Sequence, residues 1–185
     1  MYTSTILYRN KITIFSVLIS FLMFGCSTVQ NVEKQEETPN NKELKTFIDS
    51  GTGKDLETAK TSPTDIIKTA KTYLGTPHCM GGHTKKCTDC SGFVMAVFAE
   101  HGISLPHNSQ EQARFGKPIY DKSKLQTGDL VFFINTYKTN NYITHAGIYL
   151  GNNEFIHASS SNGVTITSLD NNWWQDKFVF GTRVF

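Results

Sequence analysis

Asp89-Cys90-Ser91-Gly92-Phe93 places a cysteine at the head of a strongly helical stretch. A helix N-terminus offers unpaired N–H groups and a partial positive charge, and both favour a thiolate over a thiol. Two histidines follow in strand-like contexts, His145 in Thr144-His145-Ala146-Gly147-Ile148-Tyr149 and His157 in Phe155-Ile156-His157-Ala158-Ser159. A cysteine, a base and a group that orients the base make a nucleophilic hydrolase. In that scheme Cys90 attacks a carbonyl, and His145 takes the thiol proton and later returns it to the leaving amine. His157 holds the far nitrogen of His145 and fixes its tautomer. The backbone N–H of Cys90, near the helix start, helps hold the oxyanion. Taken singly, Cys90 reads as a structural cysteine and either histidine as a satisfied half-buried side chain. The joint pattern is what points to catalysis.

The elements around these residues decide whether they can meet. Ser62-Pro63-Thr64-Asp65 predicts a helix start, with a serine cap, proline at the first position and an acid three residues after the cap. Ile66, Ile67, Ala70, Tyr73 and Leu74 then recur at helical spacing, and Gly75-Thr76-Pro77 ends the run. A second helix is expected from about Cys90 to His101, with Gly102 as terminator, and a short one within Ser109–Phe115. The second half is β-rich. Strands are expected at 130–134, 145–150, 154–159, 164–168 and 178–185, with Gly151-Asn152-Asn153 and Asn162-Gly163 as turns. Helices first and an antiparallel sheet after predict an α+β domain. If the hairpin pairs symmetrically about Asn152, His157 faces Gly147 and His145 is its diagonal neighbour on the same face. A one-residue slip would put the two rings on opposite faces.

The loop before Cys90 admits other chemistry. Cys79, His83, Cys87 and Cys90 are spaced like the four ligands of a closed zinc site, and Cys87–Cys90 is also a CxxC redox pair. Export argues against both, because extracytoplasmic thiols oxidise. A Cys79–Cys87 disulfide that leaves Cys90 free is the preferred reading. Trp173-Trp174 reads as packing, and Asp129 as a turn former.

Export is read from the first residues. Arg9 and Lys11 precede an apolar run, Ile12 to Phe24, that Gly25-Cys26 closes. This is a signal peptide over 1–25, and Cys26 after a small residue has the form of a lipidation site. The polar stretch over 26–61 then reads as a flexible tether, leaving residues 62–185 as one domain. Arg9 and Lys11 are the only charges of residues 1–25, so the formal +2 of the full chain falls to zero without them. A neutral chain gives no electrostatic case for nucleic acid.

Tyr73-Leu74-Gly75-Thr76-Pro77, Gly81-Gly82, Asp89-Cys90-Ser91-Gly92-Phe93, Leu105-Pro106, Ser109-Gln110-Glu111-Gln112, Gly128-Asp129-Leu130-Val131-Phe132-Phe133 and the two histidine segments occur in order. Together they resemble the NlpC-type bacterial cell-wall peptidases. The resemblance implies a papain-like fold and hydrolysis of peptidoglycan stem peptides. It implies Cys90, His145 and His157 as the triad, with Asp89 and Ser91 helping to bind the peptide and with no metal or cofactor. Three departures bear on substrate preference. His78 stands where the family often has tyrosine, and Cys79-Met80 where a basic and a large apolar residue are common. His107 stands where arginine is frequent. His78 and His107 are therefore expected to shape the substrate site. The cut bond is either the D-alanyl–diaminopimelate cross-link, as in the small lipoproteins of the family, or the γ-D-glutamyl–diaminopimelate bond. The lipid on Cys26 would tether the protein to a membrane, in a Gram-negative host the outer membrane facing the periplasm. The non-enzymatic alternative is a lipoprotein that only binds wall peptides.

Overall fold

The computed structural model describes residues 39–58 and 60–185. The signal peptide and Cys26 lie outside them. Among the described residues four α-helices precede a six-stranded sheet: α1 (Pro39–Asp49), α2 (Pro63–Lys71), α3 (Cys90–Ala99), α4 (Ser109–Gln112), β1 (Lys117–Ile119), β2 (Leu130–Phe133), β3 (His145–Gly151), β4 (Glu154–Ser159), β5 (Gly163–Ser168) and β6 (Phe178–Arg183). The strand order is β1-β6-β2-β3-β4-β5, and every pairing is antiparallel. The α+β class follows the sequence expectation.

Helix α2 starts as its residues dictate. Ser62 Oγ accepts the Asp65 N–H at 3.2 Å, and Asp65 reaches back to the Ser62 N–H, closing a capping box with Pro63 at the first position. Helix α3 is apolar nearly all round, and a helix of that composition has to be buried. Phe93, Val94, Val97 and Phe98 are fully buried, and α3 packs on β3 and β4. The sheet face beneath it contributes Phe132, Ile148, Ile156 and Phe180. The opposite face carries a second cluster, with Val131, Phe133, Tyr149 and Phe155 under Trp174 and Phe178. Alternation along the strands separates the two sets.

The β3–β4 hairpin fixes the histidines. Asn152 and Asn153 both take positive φ (51° and 63°), the conformation a two-residue turn matching strand twist requires. Ile148 pairs with Ile156 and Tyr149 with Phe155, the register expected from symmetry about Asn152. A bulge between Tyr149 and Gly151 shifts only the end next to the turn.

Two expectations change. The stretch read as a tether over 26–61 holds α1, and the compact unit begins before Ser62. Phe47 is 5% exposed and packs against Tyr142 and Phe180 at ring separations of 5.8 and 6.1 Å. The Arg114 guanidinium lies 4.9 Å from the Phe47 ring centre. One apolar side chain landing on a prepared ring cluster fixes a helix that its own period does not advertise. Asp129 is more than a turn residue. It is 2% exposed and takes both Nε and Nη2 of Arg183, at 3.0 and 2.9 Å, joining the start of β2 to the end of β6.

Candidate active site

A cleft of about 730 Å³ opens where the N-terminus of α3 meets the β3–β4–β5 end of the sheet. Cys90, His145 and His157 all line it, with His78, His107 and Trp174.

Cys90 is the first residue of α3, and Asp89 is its cap. Asp89 Oδ1 accepts the Gly92 N–H at 2.7 Å and the Ser91 hydroxyl at 3.1 Å. Asp89 Oδ2 accepts the Gly81 N–H at 2.8 Å, and His107 Nε2 lies 3.0 and 3.1 Å from the two oxygens. Burial pulls the Asp89 carboxyl upward, but the Gly92 N–H, His107 and the Gly81 N–H outweigh it and hold the group below the usual range. Four donors occupy a carboxylate with about four acceptor positions. Asp89 thus clamps the loop to the helix, and Ser91, 7% exposed, spends its hydroxyl on the same clamp. Both also line the cleft, where the resemblance implies that they help bind the peptide.

The sulfur of Cys90 lies 3.4 Å from the Ser109 hydroxyl. Burial pushes the Cys90 thiol up, the Ser109 hydroxyl draws it down, the Asp89 carboxylate raises it, and the N–H groups of Ala146 and Ser91 lower it; the net direction is upward. The helix terminus alone therefore does not give the cheap thiolate that the sequence suggested. A base has to take the proton.

The hairpin places the candidate base. His145 Nε2 and His157 Nδ1 are 2.9 Å apart, and His157 Nε2 is 3.0 Å from the Thr167 hydroxyl on β5. Gly147 makes the space. A Cβ there would sit 2.7 Å from the Phe155 ring and 3.3 Å from His157 Cβ. Trp174 covers the pair, with ring centres 4.8 Å from His145 and 4.7 Å from His157. Phe155 stacks on His157 at 4.5 Å. Burial pulls His145 well below its ordinary value, with the neighbouring His157 and His78 adding to the effect. Burial pulls His157 down to about 3. Both rings are neutral at pH 7, so the resting site pairs a thiol with an imidazole.

Cys79 and Cys87 form a disulfide with S–S 2.06 Å, which leaves Cys90 as the free cysteine of the described residues. Two of the four sulfur and nitrogen ligands of the zinc alternative are consumed by this bond, and so is Cys87 as a redox partner of Cys90. The bridged loop lies directly on α3. A Cβ on Gly92 would come 2.0 Å from the Gly82 carbonyl oxygen and 2.7 Å from His107 Nε2. His78 lines the cleft on the His145 side. Trp174 packs, as the sequence reading expects, but over the imidazole pair, and Ser109 and Thr167 had no assigned role in the sequence. A tryptophan, a serine and a threonine have no spacing that announces such roles, and only the pairing of β4 with β5 brings Thr167 to His157.

The chain is 45% identical over 113 residues to a probable endopeptidase NlpC homolog of Haemophilus influenzae, covering 60% of this chain and 57% of that protein. It is 42% identical over 113 residues to an Escherichia coli protein described as murein DD-endopeptidase MepS/murein LD-carboxypeptidase, again covering 60% of this chain and 57% of the relative. The chain thus spans a little over half the length of these curated relatives. The crystal structure of an NlpC/P60 family protein from Bacillus cereus superposes with a TM-score of 0.61 at 31% identity, covering 67% of this chain and 40% of that one. The family model NlpC/P60 matches residues 75–183, from just after α2 to the end of β6. That span contains the disulfide loop, Cys90 and the histidine hairpin on one continuous framework, and the chain belongs to the NlpC/P60 family.

Proposed function

We propose that this protein is a cysteine endopeptidase of peptidoglycan stem peptides, with Cys90 as nucleophile, His145 as base and His157 as its orienter. The observation that carries the reading is the 2.9 Å contact between His145 Nε2 and His157 Nδ1 inside the cleft that Cys90 lines. His157 engages Nε2 of His145, and Nδ1 is left for the thiol. The neutral imidazole takes the Cys90 proton as sulfur bonds to the peptide carbonyl carbon, and the resulting imidazolium donates its Nε2–H to His157. Collapse of the tetrahedral adduct expels the amine, which collects the proton from His145. Water then repeats the sequence on the thioester and releases the acid. The Cys90 N–H is a candidate oxyanion donor. No step requires a metal or a cofactor.

The bond is inferred to be the D-alanyl–diaminopimelate cross-link, supported by the likeness to the murein DD-endopeptidase of Escherichia coli. Lipidation of Cys26 and an outer-membrane site facing the periplasm belong to the same proposal. The charged residues Arg9 and Lys11, the apolar run to Phe24 and Gly25-Cys26 support them. The test is digestion of purified muropeptides, with products identified by mass. Conversion of cross-linked dimers to monomers is the expected result. Release of disaccharide carrying only L-Ala-D-Glu would move the assignment to the γ-D-glutamyl bond. Binding of muropeptides without any cleavage would reduce the protein to a wall-peptide binder.

A further inference from the structure

We propose that Thr167 is a positioning residue of the catalytic relay, acting through His157 to hold His145 in the tautomer that accepts the Cys90 proton. The inference rests on the enzymatic reading above and extends it by one group and one strand.

An imidazole is an ambiguous orienter. A carboxylate can only accept from the base, whereas neutral His157 carries one proton on either nitrogen. With the proton on Nδ1, His157 donates to His145 Nε2 and drives the His145 proton to Nδ1, the side meant for the thiol. In that state His145 is no base. With the proton on Nε2, Nδ1 of His157 accepts from His145 Nε2–H and the Nδ1 lone pair of His145 is free. The choice is forced once His145 has taken the thiol proton. The imidazolium must then donate through Nε2, so His157 must accept at Nδ1 and carry its own proton on Nε2.

That proton needs an acceptor, because His157 is 1% exposed and a buried unpaired N–H is costly. The Thr167 hydroxyl lies 3.0 Å from His157 Nε2. The placement follows from register. His157 pairs with Thr165 across β4 and β5, so Thr167 is its diagonal neighbour on the same face. The relay thus climbs one strand per step, from His145 on β3 to His157 on β4 to Thr167 on β5. Phe155 and Trp174 close the sides of His157, leaving the hydroxyl as the partner of its outer nitrogen. The other titratable groups around His145 and Cys90 are His78, Asp89 and, on the loop between β2 and β3, Tyr137. His78 sits on the loop side and Asp89 caps α3, so none of the three replaces the acceptor on β5.

Because the bond matters most when His145 is charged, its loss falls on the rate of the chemical step and not on substrate binding. The test uses the purified full chain with Thr167→Val, which keeps the β-branched shape and removes the acceptor, and Thr167→Ser, which keeps the hydroxyl. Two readouts are taken at pH 7: kcat and KM on muropeptides, and the rate of Cys90 alkylation by iodoacetamide, followed on the Cys90 peptide by mass. Thr167→Val is expected to lose about 10- to 100-fold in kcat with KM nearly unchanged. Its Cys90 alkylation slows as well, because a less stabilised imidazolium supports less thiolate. Thr167→Ser recovers both. Unchanged kcat and alkylation in a folded Thr167→Val protein would overturn the proposal, as would equal losses in both variants. The alkylation readout needs no substrate, so a protein that cut no muropeptide would still report on the relay separately from the peptidase reading.

Discussion

The two buried imidazoles set a pH dependence that can be read at the residue scale. In the unfolded chain each histidine binds a proton near pH 6.5. In the folded protein burial keeps His145 neutral far below that value and His157 neutral down to about 3. Between pH 6.5 and that range the unfolded state holds more protons, so stability is full above pH 6.5 and falls as the pH drops. The slope is at most about 1.4 kcal/mol per pH unit for each histidine. Urea midpoints at pH 7.5 and pH 5 are expected to separate in the wild type and to separate less in His157→Gln. An equal separation in both would show that His157 is not held neutral by the fold. Cys90, His145 and His157 are legible in the sequence because a helix cap, a hairpin turn and an inter-histidine spacing each constrain where one side chain points. The neutral resting thiol is not legible, because the helix terminus is visible in the residues while the burial around the sulfur is not. His107 is legible only as a substitution for arginine. Its place on Asp89 depends on two loops meeting.

At the scale of elements, helix α3, which carries the proposed nucleophile, is held at its start by a bridged loop. The Gly81 N–H and His107 converge on Asp89, and the Asp89 N–H returns to the Gly82 carbonyl at 3.0 Å. The Cys79–Cys87 disulfide closes that loop and lowers the entropy of the unfolded chain. Replacing both cysteines by serine is expected to cost about 2–3 kcal/mol. In thermal unfolding without reductant that is a fall of about 5–10 °C in Tm. Activity falls with it, since the first turn of α3 loses part of its clamp. An unchanged Tm would mean that the loop is held by its hydrogen bonds alone. The disulfide could be chosen from the sequence because export favours oxidation and because Cys90 was better used elsewhere. The capping box of α2 and strands β2 to β6 were equally readable, since their signals are local, whereas β1, three residues long, was not expected. Helix α1 was hidden, because its polar sequence carries few apolar positions and its stability comes from Phe47 meeting Tyr142 and Phe180, residues far away in the chain.

For the whole molecule, the sheet does two jobs with its two faces. One face buries α3 and so fixes where the thiol emerges. The other holds the imidazole pair against Phe133, Phe155 and Trp174. The site exists where the helix terminus reaches the start of β3, and Cys90, His145 and His157 line one cleft there. Antiparallel order and α+β class follow from helices preceding strands. The central claim is that this junction is one catalytic unit. Its most direct test is kcat/KM on muropeptides for Cys90→Ala, His145→Ala and the double variant beside the wild type. Each single change is predicted to remove at least about 1000-fold, and the double change to remove no more than the larger single one, as residues acting on one step do. Turnover by Cys90→Ala close to the wild-type rate would contradict the account.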